Sequence, residues 1–436
     1  MTPYILYLND VVNKNHKLIE NFKAPVNWIN NGTVYSLEAE RKELFDYLEN
    51  SINHSYKNSK PWHKSLSKGC QLCAEGSWSC LFINNICNAT CVFCPTQQDN
   101  DETPATQGCS FNTPEEFADY INYFNFKGVS ISGGEPLKTF EKTVAYIKAV
   151  RKQCNKDIYV WLYTNGILGT PEIFKTLNEI GVDEVRFNLG ASNYNINLIK
   201  NARPYIKNIT VEIPAIPEDY KKLTQLLPQL IEEGVTNLNL HQLRLTPYNI
   251  AKLASKPYTY THGTPPTVVE SELTALKILK YVSENQLAIG VNYCNYHYKN
   301  NYQKAGFRKH ISSKFIKDES ELTELGFLRK ITTGGENNSI DLNTLKLDPE
   351  THGKINVSYS YYSLSDTNDL KSETETFNIN SKAYYLKSKN TVSNLETTSR
   401  SFLENMNNKT CRDIADTALF KIFQKEIIED EFPEYY

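Results

Sequence analysis

No run of residues in this chain is apolar and long enough to span a bilayer, and its start shows no basic-then-apolar export pattern. A membrane role and secretion are therefore not expected, and the expected home is the cytoplasm. Charge of one sign is also lacking: 47 Lys and Arg stand against 50 Asp and Glu, a net of −3. That balance gives no global pull towards nucleic acid or an anionic surface, so neither is an expected partner. No G-x-G-x-x-G turn follows a candidate strand, which removes the usual sign of a dinucleotide-binding sheet. No internal repeat is present. Methionine is rare, with 2 residues among 436, while Tyr, Asn and Lys abound; neither bias carries a functional reading.

Cysteine is plentiful and unevenly placed. Of 10 in the chain, six fall between Cys70 and Cys94. Without an export signal, crowded thiols more often hold metal than pair as disulfides. The tightest group is Cys87-Asn-Ala-Thr-Cys91-Val-Phe-Cys94-Pro, shortly after the apolar run Leu81-Phe82-Ile83. A four-iron cluster is held by soft thiolates, four for a full set. Three from one loop leave one iron without a protein ligand, and an open position lets a metal centre act on a bound molecule. The bland alternative is structural zinc, which wants four ligands in closed C-x2-C pairs. Cys109, Cys154 and Cys411 suit buried apolar positions better than ligation.

Three parts are expected along the chain: 1–69, 70–309 and 310–436. The first carries a helix around Ser36–Leu48 and a polar connector from Asn53 to Lys68. The second alternates apolar runs with helical stretches, with candidate strands at Leu81–Ile86, Gly128–Ser132, Ile158–Thr164, Glu184–Leu189, Ile209–Ile213, Asn237–His241 and Ala288–Asn292. Near-continuous apolar runs suit parallel strands covered on both faces. Thr113-Pro114-Glu115-Glu116 is a capping box, and Thr170-Pro171 starts a further helix that Gly181 is placed to stop. Leu137, Phe140, Val144, Ile147 and Val150 form a stripe at helical spacing. Repeated βα units with right-handed crossovers and no dinucleotide turn predict an α/β fold with an open or complete barrel. The third part turns to Thr, Ser, Asn and Tyr. Period-two runs at Ile355, Val357, Tyr359 and Tyr361, with Phe377, Ile379, Lys382–Tyr385 and Val392, predict a β-rich module, followed by a helix over Ile414–Ile428.

Two motifs on these elements together resemble the radical S-adenosylmethionine (SAM) superfamily. Cys87-x3-Cys91-x2-Cys94, with Phe93 before its last cysteine, follows the first strand, and Gly133-Gly134-Glu135-Pro136 follows the second. The resemblance covers roughly residues 80–292 and implies a partial (β/α)6-type barrel. It implies a [4Fe-4S] cluster on Cys87, Cys91 and Cys94 whose open iron is chelated by the amine and carboxylate of SAM. Reduction then releases a 5′-deoxyadenosyl radical that takes hydrogen from a substrate. In that frame Gly133, Gly134 and Glu135 shape a loop for the methionine amine, and Phe93 lies near the adenine. Asn165, Arg186 and Asn188 are candidates for ribose and carboxylate contacts, Glu212 is another, and Tyr163 and His241 are candidates to face the substrate. Arg186 has an alternative partner in Asp183 or Glu184. An electron donor such as flavodoxin or ferredoxin is implied, as is sensitivity to oxygen.

A narrower likeness is carried by Gly69-Cys70-x2-Cys73 and by Tyr293-Cys294 with Lys299, Gln303 and Arg308. It resembles the group typified by the methyl-coenzyme M reductase arginine methyltransferase, which modifies a protein side chain, binds an extra iron through cysteines and uses cobalamin. Cys70, Cys73, Cys80 and Cys294 are the candidate ligands of such a second iron or iron–sulfur site; zinc and redox-dithiol roles are the alternatives for Cys70 and Cys73. The expected function is hydrogen abstraction from an unactivated C–H of a peptide or protein, leading to methylation, epimerisation or cross-linking. The same chemistry on a small metabolite or nucleoside, or an electron-transfer or sensing role without SAM, are the competing readings.

Overall fold

The computed structural model describes residues 3–316, apart from 24, 57 and 108, together with 321–333, 354–364 and 370–380. The chain opens with helices α1 (Pro3–Glu20) and α2 (Asn31–Leu48), a hairpin of β1 (Asn53–Ser55) and β2 (Lys60–His63), and the short helix α3 (Lys68–Ala74). Strand β3 (Trp78–Phe82) leads to the paired β4 (Asn85–Ile86) and β5 (Asp99–Asn100), which flank the cysteine loop, and to a hairpin of β6 (Ala105–Thr106) and β7 (Cys109–Ser110). Helices and strands then alternate: α4 (Pro114–Phe124), β8 (Gly128–Ser132), α5 (Phe140–Gln153), β9 (Tyr159–Thr164), α6 (Pro171–Glu179) and β10 (Glu184–Phe187). The series continues through α7 (Asn197–Ala202), β11 (Asn208–Pro214), α8 (Tyr220–Glu232) and β12 (Val235–His241). An insertion holding α9 (Ile250–Leu253), β13 (Tyr260–Thr261) and β14 (Thr267–Val268) precedes α10 (Val269–Glu284), β15 (Gly290–Cys294) and α11 (Lys304–Ser312). Four more strands follow: β16 (Glu321–Leu322), β17 (Leu328–Thr333), β18 (Lys354–Leu364) and β19 (Leu370–Asn380).

Side-chain caps set the helix starts where the spacing predicted them. Thr113 Oγ1 accepts the Glu116 amide at 3.2 Å, and Glu116 Oε2 accepts the Thr113 amide at 3.4 Å, which opens α4 at Pro114. Thr170 Oγ1 accepts the Ile173 amide and so caps α6, and Gly181 follows that helix at φ +92, a left-handed geometry that glycine takes without penalty. Val144, Ile147 and Val150 of α5 are buried against the sheet.

Strands β3, β8, β9, β10, β11, β12 and β15 pair in parallel in that order, so all seven candidate strands take their places. The sheet does not close on itself. Strand β6 joins β3 antiparallel and β2 joins β15 antiparallel, which makes a partial β/α barrel with covered edges. The Asn53–Lys68 stretch is thus not a connector: Trp62 lies opposite Asn292 as an added strand, and Leu44, Phe45 and Leu48 of α2 enter the barrel's own core. The strands are not apolar on both faces either. Outer positions such as Val129, Leu162, Phe187, Val211 and Leu240 pack under the helices. Inner positions such as Arg186, Glu184, Asn239 and Asn292 are polar and buried. Helix α3 lies against this concave inner face, where the Gly69 backbone abuts Arg186, Glu184 and Trp161, and Leu72 meets Gly128.

Strands β16 to β19 form a separate four-stranded antiparallel sheet that carries Ile355, Val357, Tyr359, Tyr361, Phe377 and Ile379. Tyr359 is buried against Phe377. Lys382–Tyr385, Val392, Cys411 and the helix expected over 414–428 lie outside the described residues. Among the described residues no helix is long and apolar enough to cross a membrane.

Candidate active site

The cysteine loop hangs from the carboxyl end of β3, between β4 and β5. Its three thiols are free and half-buried. N–H donors surround two of them: the Ala89 amide is 3.4 Å and Asn165 Nδ2 3.7 Å from Cys87 Sγ, and Gln98 Nε2 is 2.7 Å from Cys94 Sγ. Neutral thiols are weak acceptors, whereas cluster-bound sulfur takes such hydrogen bonds readily. Burial, then the nearby Cys94 and Cys87 sulfurs, push the Cys91 thiol up to about 11. Among the described residues no three ligating side chains close tightly enough to share one ion. A four-iron cluster does not require that, because each thiolate binds a different iron. The donor set fits a cluster.

The Gly133–Glu135 loop packs tightly against the chain that leads into the cysteine loop. Its glycines approach the chain's own backbone, not open space. A Cβ on Gly133, whose φ is +138, would strike Asn84, and one on Gly134 would strike the Ile86 carbonyl. The Gly134 amide donates to Asn84 O at 3.0 Å and the Glu135 amide to Ile86 O at 2.7 Å, immediately before Cys87. Glu135 is buried and accepts Thr164 Oγ1 at 2.7 Å, the Leu137 amide at 3.0 Å and the Asn165 amide at 2.7 Å. Burial raises its pKa against those three donors. One carboxylate therefore locks the loops after β8 and β9 together, and Asn84 and Asn165 tie both to the cysteine loop.

Asn188 follows β10, and its buried Oδ1 has no hydrogen-bond partner. The Phe93 ring lies beside it, across Gly190. An orphaned acceptor next to an aromatic face is what a flat polar ligand such as an adenosine group would complete. Asn188 and Phe93 fit SAM in this respect, whereas the Asn165 side chain is taken up by Asn88 and the Ile167 amide.

Arg186 is taken up by a buried network. Its guanidinium is buried on the inner face, donating to Glu184 Oε1 at 2.8 Å, Glu212 Oε2 at 2.7 Å, Tyr163 Oη at 3.2 Å and Ser67 Oγ at 2.9 Å. Of the two alternative partners it takes Glu184, while Asp183 pairs with Arg151. Glu212 is equally engaged: besides Arg186 it holds Asn239 Nδ2 at 2.9 Å and His241 Nε2 at 2.6 Å. Burial would raise its pKa, but Arg186 and then His241 hold it well below the usual carboxylate range. Tyr163 belongs to the same network. His241 differs, because its buried Nδ1 is unpartnered at the end of β12. Burial, then Lys299, depress its pKa, so the ring tends to neutrality with Nε2–H towards Glu212 and Nδ1 as a spare acceptor.

Cys70, Cys73 and Cys294 gather around Lys60. Asn239 Nδ2 is 3.2 Å from Cys70 Sγ, Gln303 Nε2 is 2.8 Å from Cys73 Sγ, and Lys60 Nζ is 2.8 Å from Cys294 Sγ. Burial pushes Cys73 up to about 12 and also raises Cys294. Burial would lower Lys60, yet the sulfurs of Cys294, Cys70 and Cys73 hold it above its ordinary value. Cys80 stands apart. Its surroundings are Ser130, Glu212 and Arg186, and burial pushes it up to about 11.

Four contributors escaped the sequence reading. Asn84, Gln98, Asn249 and Lys60 sit in no motif. Asn249, 1% exposed, donates to Phe93 O at 3.2 Å and Arg244 O at 3.0 Å and accepts the Thr246 amide at 2.8 Å. It pins the cysteine loop to the insertion after β12. Phe93 also packs on that insertion's apolar cluster, which includes Ile19 of α1. A faint signal existed in Asn84, two residues beyond β3 and three before Cys87.

Residues 81–241 match the family described as the radical SAM superfamily. A Methanocaldococcus jannaschii protein, MJ0021, provisionally named a glycyl-radical enzyme activating enzyme, is 29% identical over 266 residues, 58% of this chain and 66% of its own. Among solved structures, Streptococcus suis SuiB bound to precursor peptide SuiA gives a TM-score of 0.39 at 13% identity, over 67% of this chain and 66% of that one. The radical SAM methyltransferase TsrM from Kitasatospora setae, with tryptophan and a SAM analogue bound, gives 0.31 at 13% identity, over 41% and 39%. The chain thus spans just under two thirds of the length of its curated relative. A β/α barrel bearing a three-cysteine loop beside a Gly-Gly-Glu-Pro loop defines a class of enzymes built around SAM and an iron–sulfur cluster. Residues 81–241 form a domain of the radical SAM superfamily.

Proposed function

We propose that this enzyme abstracts hydrogen from an unactivated C–H of a peptide or protein, using SAM at a [4Fe-4S] cluster on Cys87, Cys91 and Cys94. The observation that carries the reading is the convergence of Cys87, Asn165, Glu135 and the unpartnered Asn188 at the carboxyl ends of β3, β8, β9 and β10, where such barrels build their sites. When bound, SAM at the reduced cluster supplies the hydrogen-abstracting power. The chain's own residues do the rest. Asn188 Oδ1 is free to accept a hydroxyl or amino hydrogen, and Phe93 offers a ring face. Asn249 and the insertion shield the cysteine loop. His241 Nδ1 is placed to take a proton, with Glu212 holding the opposite nitrogen. Val92, 44% exposed, leaves the loop's tip open to an electron donor such as flavodoxin or ferredoxin.

Two observations favour a polypeptide substrate. Among the described residues, the second sheet ends on the eleven-residue strand β19, an edge of the kind that grips extended chains by strand addition. The name of the 29% identical relative is that of an enzyme acting on another enzyme. We further propose that Cys70, Cys73 and Cys294 hold a second iron or iron–sulfur centre, with Cys80 outside it. Release of 5′-deoxyadenosine from reduced, anaerobic protein, lost in Cys91→Ala, is the expected result. Its absence across reductants and peptide substrates overturns the reading. Iron and cobalt per chain test the finer assignments: iron beyond four marks a second centre, and one cobalt marks the cobalamin branch.

A further inference from the structure

We infer that the Lys60 ammonium is the built-in counter-charge of the second sulfur-bound iron centre at Cys70, Cys73 and Cys294, an inference that rests on the reading of those thiols as iron ligands. Lys60 is 1% exposed. Its Nζ touches Cys294 Sγ at 2.8 Å and Asn292 Oδ1 at 3.1 Å and lies 4.6 Å from the centre of the Tyr298 ring. No carboxylate pairs with it among the described residues. The other deeply buried cation of the barrel makes the contrast: Arg186 is 3% exposed and has both Glu184 and Glu212 within 3 Å. A buried charge persists when it is paired, and an unpaired one is strongly unfavourable. Among the described residues the anions around Lys60 can come only from sulfur.

Neutral thiols do not supply that charge. They are weak acceptors and carry none. Iron changes this, because a coordinating thiol is deprotonated outright and the thiolate centre is left with net negative charge. Each of the three sulfurs already receives an N–H from a different residue, Asn239, Gln303 or Lys60. Such hydrogen bonds stabilise cluster sulfur and raise its potential. Only the Lys60 bond brings a full positive charge. That charge favours the reduced, more negative state of the centre over the oxidised one. The side chain enters from β2, the strand that covers the β15 edge, so the hairpin read as a connector supplies a functional group.

The test uses the full chain with Cys87, Cys91 and Cys94 replaced by Ala, which removes the iron of the first cluster. This parent is reconstituted anaerobically with iron and sulfide. Iron per chain, the absorption spectrum and the midpoint potential are then compared with those of the same chain carrying Lys60→Met, Lys60→Gln or Lys60→Arg. The parent is expected to retain iron. Met and Gln are expected to shift the oxidised-to-reduced ratio at fixed potential at least tenfold towards the oxidised form, about 59 mV for one electron, or to lose the iron. Arg is expected to stay near the parent. Gln keeps a donor and removes only the charge, so it separates electrostatics from packing should Met fail to fold. A parent without iron removes the second-centre reading itself. A parent with iron, matched by Gln in content and potential, overturns the role of Lys60 and leaves the iron standing.

Discussion

Gly134→Ala is the sharpest probe of the join between the two motifs. A Cβ there would lie 2.7 Å from Ile86 N and closer still to the Ile86 carbonyl, all of it backbone that cannot rotate away. Restoring ordinary contact means moving one strand end by more than an ångström. The bonds at risk are Gly134 N to Asn84 O and Glu135 N to Ile86 O, at 3.0 and 2.7 Å. Losing them costs about 1 kcal/mol each, and forced overpacking adds about 1–3 kcal/mol, so a loss of roughly 3–5 kcal/mol is expected. Because Cys87 follows Ile86 directly, the first cluster should also bind less iron. Urea unfolding of anaerobic protein and iron counts read both effects. Gly306→Ala, in α11, is the control: its nearest neighbours, Gly76 and Ala74, lie at an ordinary 3.4–3.6 Å, so it should be neutral or slightly stabilising. A Gly134→Ala protein within about 0.5 kcal/mol of wild type and with full iron refutes the reasoning.

Three further outcomes follow from the geometry. Arg186→Met leaves Glu184 and Glu212 buried without their cation and should cost about 3–5 kcal/mol in urea unfolding; a loss below 1 kcal/mol contradicts the network. Asn249→Leu strands the Phe93 and Arg244 carbonyls, which should cost about 1–3 kcal/mol and speed oxygen bleaching of the cluster; unchanged bleaching separates the insertion from the loop. His262, stacked on Trp28, has its pKa lowered from 6.5 to about 4, by burial and then by His16. Its unfolded form binds the proton first on acidification, so it subtracts stability as pH falls from 6.5 towards 4. His262→Phe keeps the stacking and should flatten that part of the stability profile; an identical slope contradicts the assignment.

The barrel was legible because its information is local. Short apolar runs and helical spacing, with caps such as Thr113 and Thr170, place seven strands and their helices without reference to partners. The cysteine and Gly-Gly-Glu-Pro loops were legible for the same reason, each being a tight run on one strand end. What stayed hidden is long-range. Arg186 looks like a ligand contact from its position at a strand end, and only the register of β9, β10 and β11 brings Tyr163, Glu184 and Glu212 to it. Gly133 and Gly134 advertise a close approach but not that Asn84 and Ile86 are what approaches. Lys60 and Pro61 read as connector because, beyond the three-residue β1, β2 has no neighbour until β15 arrives, more than 220 residues later.

Helix α3 precedes the first barrel strand, yet it is packed by the last ones: Cys70 meets Asn239 and Asn292, 169 and 222 residues further on. The inner face therefore cannot be completed in chain order. During synthesis β3, β8 and β9 can pair while their concave side still lacks its far wall, and α3 has only half of its seat until β15 emerges. Contacts of such separation are slow to form and leave intermediates with exposed surface. Barrel closure around α3 is then the late step of folding, and a nascent chain stopped short of residue 294 should be held by chaperones and not released as a stable domain.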